Sequence, residues 1–241
     1  MLTLHVARAL LADPRRGGAV PGGAVLVEGA AVAAVGPYEE LAAAHPTARV
    51  RRWPGVITPG LWNPYGPELL QDTYHPDPRE ADALGTEPLT GPAGRAELDR
   101  EPGRPAASAR RCLQRMLAHG TVAVAGDLTV PAVAQAVRRA GLGLEERFAA
   151  PAGPPSLDPF AGRPPVDAFG PVPLGAAGVD ADFAVFDVPV RDDPPDVSPD
   201  GAPDGSHPED MADGLLAALA ERGAGCCVAT VLAGRLVHRR R

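Results

Sequence analysis

The chain opens on alternation. Leu2, Leu4 and Val6 alternate with Thr3, His5 and Ala7, the period of two that predicts a strand. Pro21, Gly22 and Gly23 break the chain. Ala24 to Val27 and Val32 to Val35 then form two apolar runs around Glu28-Gly29, a hairpin signal. A short helix over Glu39 to Ala44 is stopped near Pro46, a strand follows over Arg49 to Trp53, and Val56-Ile57 leads to Pro59-Gly60. Residues 64–105 carry Pro, Gly and charge without a sustained period and are expected to be mostly loop. From Ala106 to His119 the spacing changes. Ala109, Cys112, Leu113, Met116 and Leu117 fall on one helical face, and Gly120 supplies the stop. Thr121 to Ala125 reads as a short buried strand, and Pro131 to Gly141 as a second helix with Val133, Ala134 and Val137 inward. Helix, strand and helix with tight connections form the grammar of an α/β unit. Eight prolines between Pro151 and Pro173 preclude a regular element. Ala184 to Phe186 restores a strand, Ser206 and Glu209 have capping-box spacing ahead of a helix through Met211, Leu215, Leu216 and Leu219, and Cys226 to His238 reads as a hairpin turning at Ala233-Gly234.

Composition narrows the function classes. The 241 residues suffice for one large domain or two small ones, and the 45% hydrophobic content is that of a globular chain. Gly and Pro, 28 and 29 residues, are about twice as frequent as usual, aromatics are only 4%, and the core must be built from Val, Leu and Ala. Every one of the 23 basic residues is Arg, which reads as a GC-rich coding bias. A net charge of −7 argues against a general nucleic-acid partner, because phosphate neutralisation needs a basic face. No apolar run approaches the roughly 20 residues of a membrane span and the N-terminus lacks a signal peptide's order, so a soluble, cytoplasmic protein without a membrane partner is expected. Cys112, Cys226 and Cys227 have no CxxC spacing and read as small buried hydrophobes.

The order of these pieces resembles the amidohydrolase superfamily, in particular the imidazolonepropionase and aminodeoxyfutalosine deaminase-like group. The pieces are the GAVLVEGAAVAAVGP hairpin, the ITPGL segment, the α/β units, DADFAVFDV and the terminal ATVLAGRLVHRR hairpin. The helix reading ARRCLQRMLAHGTVAV is similar to the family's LxxMLxxGTT stretch. The resemblance implies a mixed α and β fold, in which N-terminal and C-terminal strands meet in a composite β-sandwich beside a (β/α) barrel. Residues 1–59 and 179–241 would form the sandwich, and residues 60–178 a truncated barrel-like insert with Pro/Gly-rich loops. Between Pro59 and Gly178 there are far fewer residues than the ~250 a closed barrel takes.

The family's chemistry rests on a metal: after Pro-Gly-Leu a strand ends in Asp-x-His-x-His, and both imidazoles bind a divalent ion. Aligned from Pro59-Gly60-Leu61, Asn63 stands for the Asp, Tyr65 for the first His and Pro67 for the second. Proline has no side-chain donor, and a neutral phenol is a poor substitute for imidazole. The remaining histidines, His5, His45, His75, His119, His207 and His238, do not cluster in sequence. His5 and His238 fall on sandwich strands, and His119 ends a helix, where a cation meets the dipole favourably. His75, in Asp72-Thr-Tyr-His75-Pro-Asp77, is the one near chelating residues, against the plainer reading of a surface loop. Asp127 follows a strand, where α/β proteins place functional groups; its plainer role is a helix-entry acid. The Asp-rich stretch 189–208 reads as solvated, with metal binding the lesser alternative. Arg49, Arg51 and Arg52 near Trp53 admit an anion site, with a solvated strand the plainer reading. Ser108, Ser156, Ser198 and Ser206 lie outside any G-x-S-x-G, and no P-loop motif is present.

Two functions follow. The first is a degenerate, metal-free relative, a pseudoenzyme acting as a binding or regulatory protein for a small molecule or protein partner, with homo-oligomers allowed by leftover apolar surface. The second is a hydrolase or deaminase of cyclic amides or amidines with Zn or Fe at a site rebuilt from Asn63, Tyr65, His75 and Asp127. The residues favour the first reading, with no cofactor expected; a decayed chain without a selected role is the weakest alternative.

Overall fold

The computed structural model describes residues 1–176, 178–190 and 208–240. The Asp-rich stretch beyond Val190, His207 and the Ser206 end of the capping box lie outside the described residues. Three sheets and seven helices make up the described fold.

The first sheet has the order β5-β4-β1-β6, from β1 (Leu2–Val6), β4 (Gly23–Glu28), β5 (Ala31–Pro37) and β6 (Arg49–Arg52). β1 runs antiparallel to β4 and parallel to β6. The second has the order β13-β12-β11-β7-β2-β3. It comprises β2 (Ala9–Leu10), β3 (Val20–Pro21), β7 (Val56–Pro59), β11 (Phe183–Phe186), β12 (Cys227–Leu232) and β13 (Arg235–Arg239). Its centre joins the two ends of the chain: Val56 to Pro59 pair antiparallel with Phe186 to Phe183, and β11 pairs in turn with β12. The chain passes between the two sheets three times within a few residues, from β1 to β2, β3 to β4 and β6 to β7, which is how packed sheets share corners. At the last crossing Gly55 has φ +60°, and a Cβ there would lie 2.0 Å from the Phe186 carbonyl oxygen. Leu10, Val25, Val27, Ile57, Phe183, Val185 and Val231 fill the space between the sheets. α1 (Tyr38–Ala44) covers the outer face of the first sheet, where Leu4, Leu26 and Leu41 meet.

The chain between β7 and β11 builds the third sheet, order β10-β9-β8, all parallel, from β8 (Leu61–Asn63), β9 (Thr121–Ala125) and β10 (Gly143–Glu145). α5 (Arg104–Ala118) and α6 (Pro131–Ala140) are the two helices that the periodicity predicts. Their inward faces, Ala109, Cys112, Leu113 and Met116 on one and Val133 and Val137 on the other, share a core with Val122 and Val124. Leu232 of β12 enters the same core, and the Thr230 hydroxyl donates to the Leu117 carbonyl at 2.6 Å. The α/β unit is thereby docked on the sandwich. α7 (Pro208–Arg222) packs Leu215 and Leu219 on the outer face of the second sheet, beside Phe160, Phe169 and Phe186.

Residues 64–105, expected as mostly loop, contain three short helices: α2 (Gly66–Leu70), α3 (Ala81–Leu84) and α4 (Gly91–Leu98). Their periodicity is too short to register, yet α2 and α4 each begin with proline in the first turn, which presets φ at no hydrogen-bonding cost. A partly buried polar knot, with Tyr74 and Glu97 inside and Arg104 and Glu80 half-buried, fixes the segment. Arg104 donates to Glu97 at 2.6 Å and to the Tyr74 hydroxyl at 2.7 Å and pairs with Glu80 at 2.9 Å, while Tyr74 donates to Glu80 at 2.5 Å. The mutual support pulls the Glu80 carboxyl down to about 2, through the Tyr74 hydroxyl first, and burial beside that carboxylate pushes Tyr74 up to about 12.

Candidate functional site

In sheets of parallel strands, functional groups gather beyond the carboxyl ends of the strands. Here those ends are Asn63, Ala125 and Glu145, followed by Pro64-Tyr65, Gly126-Asp127 and Glu146-Arg147. Asn63 is fully buried. Its Oδ1 accepts the Tyr65 amide at 2.9 Å, closing a turn on itself, and its Nδ2 donates to the Ser156 carbonyl at 2.9 Å. Tyr65 is 5% exposed and its hydroxyl donates to the Ala152 carbonyl at 2.5 Å. Pro67 lies against Gly126, where a Cβ would come within 2.6 Å of the proline ring. Arg147 donates to the Pro64 carbonyl at 3.0 Å and to Glu68 at 2.8 Å. Arg163 donates to the carbonyls of Trp62, at 2.8 Å, and Pro159, and burial lowers its pKa. The proline-rich segment after Pro151 therefore lies over the strand ends, and Phe169 adds a bridge to Leu61 at the free edge of β8.

Apart from the Arg147–Glu68 pair, the side-chain donors and acceptors described here face main-chain groups. The Asn63 amide and the Tyr65 phenol each donate to a main-chain carbonyl, and Asn63 Oδ1 accepts the Tyr65 amide, so both side chains are committed to the backbone. Pro67 offers no atom. A divalent metal in the family's manner does not fit these three residues, and no chemical step is derived through one. Among the described residues, no group of three His, Cys, Asp or Glu side chains is placed to hold an ion.

His75 and Asp127 stand apart from that pair. His75 is 1% exposed rather than in a surface loop. Its Nε2 faces the Leu69 carbonyl at 2.9 Å, its amide donates to Ser108 Oγ at 2.9 Å, and its carbonyl accepts Arg111 Nε at 2.6 Å. Burial lowers its pKa, and Nδ1 has no hydrogen-bond partner among the described residues. Asp127 is exposed at the loop leading to α6, and its carbonyl accepts Gln71 Nε2 at 3.5 Å. His5 and His238 lie on β1 and β13, His45 and His119 follow the ends of α1 and α5, and the His119 ring donates to the Arg115 carbonyl at 2.8 Å. Cys112 and Cys227 are buried, and Cys226 is half-buried. Sequence reading missed the partners of Asn63 and Tyr65, because Ala152 and Ser156 contribute only carbonyls, which carry no signature. Arg147 and Arg163 were legible only as the basic residues flanking the proline-rich stretch.

The strands of both chain ends thus close one two-sheet sandwich beside a three-stranded parallel α/β unit, a mixed α and β architecture. Residues 23–48, which span β4, β5 and α1, match the family described as imidazolonepropionase-like composite domain, bacteria. None of the curated proteins matches the sequence. Solved structures with a similar arrangement include ochratoxinase from A. niger, at 18% identity and TM-score 0.43, over 61% of this chain and 32% of that one. Helicobacter pylori aminofutalosine deaminase is similar at 12% identity and TM-score 0.40, over 61% of this chain and 33% of that one. Guanine deaminase from Bradyrhizobium japonicum is similar at 18% identity and TM-score 0.41, over 63% and 37%. The chain spans about a third of the length of these structures.

Proposed function

We propose that this protein is an imidazolonepropionase-like composite domain, formed by residues 1–59 and 179–241, that carries a shortened α/β insert and works by binding rather than by metal-assisted hydrolysis. It acts as a soluble, cytoplasmic binding or regulatory protein. What supports the reading most is the use made of Asn63 and Tyr65. Within the stretch where the resemblance puts the metal motif, Asn63 in the place of its Asp and Tyr65 in the place of its first His both hold the chain's own backbone, at Ser156 and Ala152. A substrate or ion at the strand ends would first have to displace the segment that these bonds secure.

The test is metal reconstitution. The protein is unfolded, refolded with excess Zn or Fe, desalted, and analysed by mass spectrometry for metal and by thermal melting. The expected result is well under one ion per chain, an unchanged Tm, and no turnover of cyclic amides or aminopurines. One retained ion per chain with a Tm raised by several degrees would restore the hydrolase reading.

A further inference from the structure

Two edges of the sandwich meet at a basic cleft. β6 is one of the two edge strands of the first sheet and β13 one of those of the second, and between them lies a cavity of about 180 Å³ lined by Arg49, Arg51, Arg52, Trp53, Leu236 and Arg239. Arg49 and Arg51 share one face of β6, because side chains alternate along a strand. Arg51 stands in register with His5 of β1, which is buried between the sheets with its ring edge-on to Phe183. Arg52 turns the other way and donates to the Tyr38 hydroxyl at 3.0 Å. Arg239 arrives from the far end of the chain and sets its guanidinium 5.7 Å from the centre of the Trp53 ring. The Trp53 indole is itself fixed, donating Nε1–H to His5 Nδ1 at 3.1 Å.

The missing partner is a negative charge. Arg16, Arg95, Arg100, Arg104, Arg111 and Arg147 each pair with a carboxylate within 4.0 Å, whereas unpaired arginines elsewhere among the described residues, such as Arg110, Arg138 and Arg235, do not converge with others on a cavity floored by a fixed indole. Among the described residues, Arg49, Arg51, Arg52 and Arg239 form no such pair, and no acid lines the cleft. Charged side chains on a free edge also discourage strand addition. That role needs only splayed, solvated groups on each edge; it does not require two edges to converge on one cavity floored by a fixed indole. Converging guanidinium groups repel one another until an anion enters, and their planar forks match oxyanion geometry. The volume is below the roughly 300–1,000 Å³ of a drug-sized ligand pocket, which sets the size.

We propose that this cleft binds a small, multiply charged oxyanion of the phosphate type, held by Arg49, Arg51 and Arg239 above Trp53. The site lies in the sandwich and stands whether or not the strand ends of the parallel sheet bind metal. Calorimetric titration of the full chain with inorganic diphosphate at constant ionic strength tests it, with phosphate, adenosine monophosphate and citrate titrated in parallel. One saturable site per chain is expected, weakened at least tenfold by the pair Arg51→Gln and Arg239→Gln and less by Arg49→Lys. Tighter binding of the nucleotide than of phosphate would identify a phosphate ester as the ligand, and the reverse order the inorganic ion; either supports the site. The His5 ring resonances should move with saturation, since His5 stands in register with Arg51 and accepts the Trp53 indole N–H. Should the double variant fail to fold, Arg49→Gln, whose side chain is exposed, must still weaken binding several-fold. Non-saturable heats, an affinity unchanged in these variants, or citrate bound as tightly as diphosphate would overturn the proposal.

Discussion

The hydroxyl of Tyr65 donates a hydrogen bond to the carbonyl of Ala152 at 2.5 Å, across 87 positions of sequence. Together with the Asn63 amide on Ser156, it fastens a proline-rich strap over the ends of the parallel strands. Against the expectation of no regular element, the proline-rich segment forms one 3-10 turn, Pro165–Ala168, opened by prolines that preset φ; the carbonyls of the stretch before it still need partners, and these two side chains supply them.

Tyr65→Phe keeps the ring and removes that donor, leaving a carbonyl without its partner. The expected cost is about 1–2 kcal/mol in urea unfolding, with faster tryptic cleavage after Arg147 at the start of the strap. Unchanged stability and unchanged cleavage would show that the bond does not hold the segment.

Asn63→Asp restores the residue type that the family resemblance puts at this position, and it should nevertheless be harmful. The carboxylate would face the Ser156 carbonyl in place of a donor, in a fully buried setting. A loss of about 2–3 kcal/mol is expected at pH 7, relieved as the pH falls and the acid protonates.

His5 makes the sandwich acid-sensitive. Burial first, and the Arg51 charge second, lower its pKa to about 4 from about 6.5. The unfolded chain therefore takes up a proton that the folded one refuses. Stability is whole above about pH 6.5 and is lost as the pH falls towards 4, by ~3 kcal/mol over that span. His5→Gln should flatten this part of the stability–pH curve; a curve of the same slope would assign the acid sensitivity to other groups, among them His75, whose pKa is also lowered.

The polar knot around Arg104 governs both ends of the pH range. The Glu80 carboxyl, held at about 2, contributes stability that is present above its unfolded value near 4.5 and lost as the pH falls towards 2. Tyr74, raised to about 12, contributes stability that is present below about 10 and lost as the pH rises through 12. Arg104→Ala removes the common partner of Glu80, Glu97 and Tyr74 and leaves Glu97 with Arg100 alone, so a drop of about 1–2 kcal/mol in chemical unfolding is expected. A change under about 0.5 kcal/mol would mean that the knot is a surface network.

The β12–β13 turn carries a correctable strain. Ala233 has φ +46° and Gly234 +71°, both positive, in the two-residue loop between Leu232 and Arg235. Positive φ at both positions favours Asn-Gly, and alanine tolerates it poorly. Ala233→Asn should raise stability by about 0.5–1 kcal/mol, read as an upward shift in Tm. No change would mean that neighbouring contacts, such as the Ala233 amide on Asp182 at 2.6 Å, already absorb the strain.

Sequence by itself determined the elements with strong local periodicity: the N-terminal strands and hairpin, the helices holding Cys112 and Val137, and the closing hairpin at Ala233-Gly234. It also determined that Pro67 has no donor atom and that Asn63 and Tyr65 replace an acid and an imidazole, since those are facts of residue type. The short helices between Gly66 and Leu98 were illegible, because one or two turns give too few repeats to register and are set by tertiary anchors such as Arg104. Tertiary structure alone decided that Tyr65 meets Ala152, that His75 is enclosed against Ser108 instead of lying on the surface, and that Arg239 joins Arg51 across the sandwich. Each is a contact between distant positions, and periodicity reports only which face a residue shares with near neighbours, never which remote segment that face will meet.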